Sequence, residues 1–265
     1  MNSNDLFGKM WIDYCHLNPF AHRIFELLRA EGENVVNDHI ALRTFQHPKL
    51  GIDQMATTFL RLGYFECGTY EFKEKKLFAK HFEHHDARMP KVFISELILS
   101  SFSAEIQQII NGLIDQITSD FLQREDFSVS GRPWSLKFET FEKLAQVSEY
   151  AGWVAAIGFR PNHFTVLINE LRKYHDIHEL NTFLKKNGFK LNQSGGEVKG
   201  TPQELLEQSS TLASEIEIQF IDGVHKVPGC YYEFAKRYPK TDGKLYSGFI
   251  AKSADKIFES TNRQN

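Results

Sequence analysis

Cysteine is scarce in this chain of 265 residues. Cys15, Cys67 and Cys230 are odd in number, widely scattered and free of C-x-x-C spacing. That usage fits reduced thiols in a cytoplasm rather than a disulfide framework or a zinc knuckle. No apolar run approaches the roughly 20 residues that span a bilayer. The opening Met1-Asn2-Ser3-Asn4-Asp5-Leu6 also lacks a basic region followed by an apolar stretch, so a cytoplasmic protein without a membrane partner is expected. No cluster of lysine and arginine is long enough to track a phosphate backbone, and the net charge is −3. Nucleic acid is therefore not expected as a partner. The stretch Ser194-Gly195-Gly196-Glu197-Val198-Lys199-Gly200 lacks the Gly-Lys-Ser/Thr of a phosphate loop and reads as an ordinary loop. Phenylalanine, by contrast, is plentiful at 23 residues, enough for a large core or a deep apolar cavity. The length exceeds the usual single-domain size, which allows two related modules to share one core.

The sequence nearly says the same thing twice. Asp38-His39-Ile40-Ala41-Leu42-Arg43 and Asn162-His163-Phe164-Thr165-Val166-Leu167 open two similar strand-like runs. A Phe-Leu pair follows each histidine at the same spacing, Phe59-Leu60 and Phe183-Leu184, within helical patterns that Gly63 and Gly188 stop. Each half then reaches an apolar strand interrupted by one carboxylate, Glu96 or Glu233. Self-similarity of this kind outranks local signals.

The rest of the pattern places helices around these modules. Residues 4–31 read as two helices broken where Asn18 precedes Pro19. Ile106, Ile109, Ile110, Leu113, Ile114, Ile117 and Phe121 predict one long connecting helix. A loop over 124–133 and a short helix over 141–150 follow, and Asp176 with Glu179 encodes the start of the helix that ends at Gly188. The expected fold is α+β: two βαβββ modules forming a shared open barrel, with additional packing helices. The expected boundaries are residues 1–33 for the N-terminal helices, 34–102 for the first module, 103–150 for the connection and 151–265 for the second module with a C-terminal segment.

A lone histidine in a strand is usually a hydrogen-bonded structural residue. Two at equivalent places in pseudo-symmetric halves can instead converge on one point. A carboxylate buried in an apolar strand is costly unless a cation or donor satisfies it, and Glu96 and Glu233 both sit in such strands. Two imidazoles and one carboxylate with open positions suit non-haem Fe(II) and oxygen chemistry, whereas a second carboxylate suits metal-assisted isomerisation or lyase chemistry. Strand parity puts Arg43 on the side of His39, about 14 Å along the strand. There its guanidinium could grip a carboxylate at the far end of a small acid, the alternative being an internal salt bridge to Glu96 or Asp38.

At these residues the chain resembles the 2-oxoadipate dioxygenase/decarboxylase family, related in fold to the vicinal oxygen chelate superfamily. The resemblance rests on Asp38 to Arg43, on His81-Phe82-Glu83-His84 leading into Ile94-Ser95-Glu96-Leu97, on Gly200-Thr201-Pro202 through Leu206-Glu207-Gln208-Ser209-Ser210-Thr211, and on Tyr231-Tyr232-Glu233-Phe234. It implies Fe(II) held by His39, His163 and Glu233, with Arg43 on the substrate's distal carboxylate. It implies an enzyme that converts 2-oxoadipate and dioxygen to 2-hydroxyglutarate and two molecules of carbon dioxide, a step of lysine catabolism. No oligomeric state is implied. Metal ligation, a hydrogen bond to a ligand and a pairing with Arg43 are all open to Glu96. His81 is expected to line the cavity, and Gln208, Ser209 and Ser210 could orient substrate or a ligand, although serines there are also ordinary turn residues. His81, His84 and His85 lack helical metalloprotease spacing. Two competing functions are a glyoxalase-type lyase or isomerase using His39, Glu96, His163 and Glu233 around zinc or nickel, and a metal-free module that sequesters a small acid.

Overall fold

The structure, a computed structural model, describes residues 2–261. Helices α1 (Ser3–Leu17) and α2 (Pro19–Ala30) lead the chain. Asn2 and Asp5 form a capping box at the start of α1, and Pro19 opens α2 where its missing N–H leaves nothing unpaired. Asn18 at the junction donates to the Tyr14 carbonyl and accepts from the Cys230 N–H, which ties the helix pair to the far end of the chain.

The first module follows as strand β1 (Asn37–Phe45), helix α3 (Ile52–Arg61) and strands β2 (Tyr64–Phe72), β3 (Leu77–His84) and β4 (Lys91–Leu97). The single long connecting helix expected over 106–121 is in fact two, α4 (Ala104–Ile114) and α5 (Ser119–Leu122). The apolar spacing continues through the break, but the Thr118 side chain caps the Phe121 N–H and restarts the helix. Helices α6 (Phe138–Val147) and α7 (Glu149–Ile157) come next, so the boundary expected at residue 151 falls inside a helix. That helix is buried nearly all round and carries no amphipathic signal.

The second module comprises β5 (Pro161–Leu167), α8 (Ile177–Lys186), β6 (Lys199–Thr201), β7 (Leu206–Ser210), an inserted hairpin β8 (Glu215–Phe220) and β9 (Gly223–Pro228), and finally β10 (Tyr231–Arg237). Helix α9 (Ala251–Phe258) follows it. Gly63 and Gly188 adopt φ of +92° and +85° one residue past the caps of α3 and α8, the left-handed position at which helices end on glycine.

The eight-stranded sheet runs β2-β3-β4-β1-β5-β10-β7-β6. Strands β1 and β4 pair in parallel, as do β5 and β10, and β1 meets β5 antiparallel at the centre. The order is thus a palindrome of two four-stranded halves, each βαβββ in chain order, as the repeat predicts. Every residue of β1 after Asn37 is buried, as expected of a central strand covered on both faces. The free edges of the curled sheet are β2 and β6. Helix α9 contacts β2, β6 and β7, and so closes the opening between those edges.

Candidate metal centre

The central strands carry the site. His39 on β1, His163 on β5 and Glu233 on β10 are all buried, and one donor atom from each lies within 4.8 Å of the others. The His163 Nε2 is 3.3 Å from Glu233 Oε2, and His39 Nε2 is 3.7 Å from Oε1. The register explains the convergence. His163 pairs with Tyr231 and Thr165 with Glu233, so Glu233 stands two residues along, on the same face as His163.

Each ring is fixed from behind through Nδ1. Asp38 Oδ2 lies 2.8 Å from His39 Nδ1, and Asn162 Oδ1 lies 3.1 Å from His163 Nδ1. Those acceptors hold the protons on Nδ1 and leave the Nε2 lone pairs available at the centre, where that of His39 meets the Thr165 hydroxyl at 3.1 Å. Asp38 is itself gripped by the Arg237 guanidinium at 2.6 and 2.8 Å. Burial alone would raise the Asp38 pKa, but the Arg237 and Lys91 charges outweigh it and hold the carboxyl well below its ordinary value. The Asp/Asn before each histidine is visible in the repeat, whereas Arg237 carries no sequence signal that ties it to His39.

The electrostatics suit a cation. Burial lowers the pKa of His39, and burial, His39 and Arg43 together lower that of His163 further, so both imidazoles are neutral near pH 7. Burial pushes the Glu233 carboxyl up to about 8 despite a 2.6 Å hydrogen bond from Gln208 Nε2. Two neutral imidazoles and a carboxyl short of positive charge are a donor set that a divalent ion completes.

This makes a stability prediction for the metal-free protein. A carboxyl whose folded pKa is raised destabilises the fold as pH climbs from the unfolded to the folded value, because only the unfolded chain releases its proton there. At pH 7 that cost is on the order of 3 kcal/mol. Glu233→Gln keeps the shape without the charge, and should raise the Tm of metal-stripped protein by several degrees at pH 7 and by little near pH 4.5. Scanning calorimetry that finds equal or lower Tm for the variant at pH 7 would contradict the assignment.

Other residues expected at the site divide by strand face. Gln208 lines the cavity beside Glu233, and its Oε1 has no hydrogen-bond partner among the described residues. Ser210 lies on the same face and bonds Ser260 at 2.8 Å, whereas Ser209 faces outward to Asn181. His81 is not an additional ligand, because Phe249 stands between it and the centre, 5.3 Å from the His81 ring and 4.8 Å from that of His39. Glu96 is also absent from the site. Its Oε2 accepts the Ile52 N–H at the start of α3 and its Oε1 accepts from Gln46, which satisfies the buried carboxylate with a helix N-terminus. The register identifies the true counterpart of Glu233: Ala41 pairs with Phe93 as Thr165 pairs with Glu233. The first half therefore contributes a phenyl wall where the second contributes a carboxylate.

Arg43 pairs with neither Glu96 nor Asp38. Its Nη1 bonds Glu149 Oε1 at 2.9 Å, and its guanidinium carbon sits 5.6 Å from the ring centre of Phe258, a residue that lines the cavity. Arg43 Nε and the Tyr231 hydroxyl are buried with no hydrogen-bond partner among the described residues. Tyr231 stacks on His163 with ring centres 4.5 Å apart. The cavity bounded by His39, Phe93, His163, Gln208, Glu233 and Phe249, with Ala254, Ile257 and Phe258 of α9, measures about 20 Å³, room for a water and no more.

A sequence model of the 2-oxoadipate dioxygenase/decarboxylase family matches residues 20–244. The chain belongs to this family. The 2-oxoadipate dioxygenase/decarboxylase of Arabidopsis thaliana, named as chloroplastic, is 35% identical over 96% of this chain and 76% of its own length. The crystal structure of the hydroxyglutarate synthase from Oryza sativa in complex with 2-oxoadipate is similar at a TM-score of 0.91, with 33% identity over 98% of this chain and 92% of that one. A crystallised protein of Shewanella frigidimarina, described only as a proposed hydrolase, is 50% identical with a TM-score of 0.90, covering 94% of this chain and 97% of its own.

Proposed function

We propose that this protein is an Fe(II)-dependent dioxygenase/decarboxylase that converts 2-oxoadipate and dioxygen to 2-hydroxyglutarate and carbon dioxide. The observation that carries the reading is the buried convergence of His39, His163 and Glu233 in a chain of this family. His39, His163 and Glu233 would hold Fe(II) there, and the ion would supply open coordination positions for the 2-oxo acid and dioxygen. The atom balance corrects one expectation. A six-carbon oxo acid and one dioxygen give a five-carbon hydroxy acid and a single carbon dioxide, with one oxygen atom in the new carboxylate and one in the hydroxyl. The two molecules implied by the resemblance do not balance.

The chain's own part is to hold and align. Asp38 and Asn162 keep the imidazole lone pairs aimed inward, and Gln208 orients Glu233. Arg43, whose Nη1 and Nη2 are held by Glu149 and Thr261, offers its unused Nε to the distal carboxylate of a dicarboxylic substrate. The aromatic walls Phe93, Phe249 and Phe258 exclude bulk water. A cavity of about 20 Å³ cannot admit such an acid, so the side chains of α9 must give way as substrate enters. The placement of Glu96 outside the site removes the fourth ligand that a glyoxalase-type lyase or isomerase would use.

A role in lysine catabolism and a cytoplasmic location belong to the same proposal. Among the described residues no helix is long and apolar enough to cross a membrane. The test is anaerobic Fe(II) reconstitution, an oxygen-electrode screen of 2-oxo dicarboxylates and mass spectrometry of the products. Oxygen uptake with 2-oxoadipate should be matched by equal amounts of 2-hydroxyglutarate and carbon dioxide. Turnover without oxygen uptake would replace this reading with the lyase.

A further inference from the structure

We propose a second transition-metal site, separate from the His39–His163–Glu233 centre, formed by Cys67, His81 and Glu83 on strands β2 and β3 and suited to a zinc-like divalent ion. One donor atom from each of these residues lies within 4.8 Å of the others. Thiolate, imidazole and carboxylate are the ligand types of zinc, and three protein ligands leave a fourth tetrahedral position for water.

The local backbone is shaped to make this cluster. The β2–β3 ladder slips between Glu66, opposite Phe82, and Gly68, opposite His81, so Cys67 is the extra residue of a bulge. Bulges re-aim a side chain that strict alternation would send elsewhere. Gly68 makes room for the imidazole: a Cβ there would stand 3.0 Å from the His81 ring and 3.1 Å from the Tyr70 hydroxyl. The Tyr70 hydroxyl lies 2.9 Å from His81 Nδ1 and also accepts the Phe249 N–H at 3.1 Å. That contact anchors the far side of the ring and turns Nε2 toward Glu83, whose Oε1 is 3.2 Å away. The imidazole is buried while Cys67 is exposed and Glu83 partly so, an arrangement open to an ion from solvent with one preformed ligand and two that can adjust. The buried ring is thus held in place from behind by the Tyr70 hydroxyl, an outer hydrogen bond of the kind that orients ligating histidines.

Cobalt(II) is the probe, titrated anaerobically into the full-length, metal-stripped protein with its thiols reduced. Sulfur ligation produces a near-ultraviolet thiolate-to-cobalt charge-transfer band, and the His39–His163–Glu233 centre, which has no sulfur, contributes none. The band should grow in with one equivalent of cobalt that competes with zinc. Cys67→Ser, at an exposed position, should abolish the band and that equivalent while circular dichroism stays unchanged. Glu83→Gln and Gly68→Ala should each weaken cobalt binding about tenfold or more. No band at saturating cobalt, or a band that survives in Cys67→Ser, would overturn the site. Neither result bears on the first centre, whose occupancy is read separately in His163→Ala.

Discussion

His163→Ala is expected to leave the protein without stoichiometric iron and without measurable turnover. The substitution reduces a three-residue set to His39 and Glu233, and no other His, Cys, Asp or Glu among the described residues completes the cluster around Glu233. Two ligands cannot hold a labile ferrous ion against dilution when three leave it exchangeable. The loss should appear in both readouts together: iron per chain falling from about one to near zero after anaerobic reconstitution, and oxygen uptake falling to the uncatalysed rate. The fold should survive, because the polar contacts of the His163 ring among the described residues are with Asn162 and Glu233. Removing it also relieves the crowding of buried donors around an uncompensated centre. Iron content and steady-state rate unchanged in the variant would refute the ligand assignment.

Arg43→Ala should preserve iron content and lower kcat/KM for 2-oxoadipate on the order of 10²-fold. The magnitude follows from one charge-assisted hydrogen bond through the free Nε, at about 1.5–3 kcal/mol. The discriminating measurement uses a 2-oxo acid of the same length without the distal carboxylate. Wild type should handle it poorly, and Arg43→Ala should handle it no worse. Structural damage would depress both substrates alike, and that outcome would return Arg43 to the role of an internal partner of Glu149. Arg43→Lys should restore little, since an ammonium cannot reproduce the planar fork.

The halves of the fold were legible because the repeat preserves what determines them: a histidine-led buried strand, a helix closed by Gly63 or Gly188, and further strands. The hairpin of β8 and β9, joined by Ile221 and Asp222, carries no signal used in the sequence reading. Strand parity placed Arg43 on the side of His39, but its partner Glu149 belongs to a helix in the connection, a contact 106 residues away that no local pattern encodes. Glu96 and Glu233 show the limit most clearly. Each is one carboxylate in an apolar strand, and periodicity treats them alike. What separates them is register against the neighbouring strand, which sets Thr44 beside Glu96 and Thr165 beside Glu233. A shift of one residue turns a side chain to the opposite face, and Glu96 is turned outward to α3.

The antiparallel seam of β1 and β5 is where the two halves of the large sheet join. His39 comes from one side of that seam, His163 and Glu233 from the other. An ion gripping all three is thereby a clasp across the seam, and an unfolded chain offers it no comparable grip. The binding energy of such an ion would add to the cohesion of the halves by mass action, so removal of the metal should shorten the lifetime of the protein.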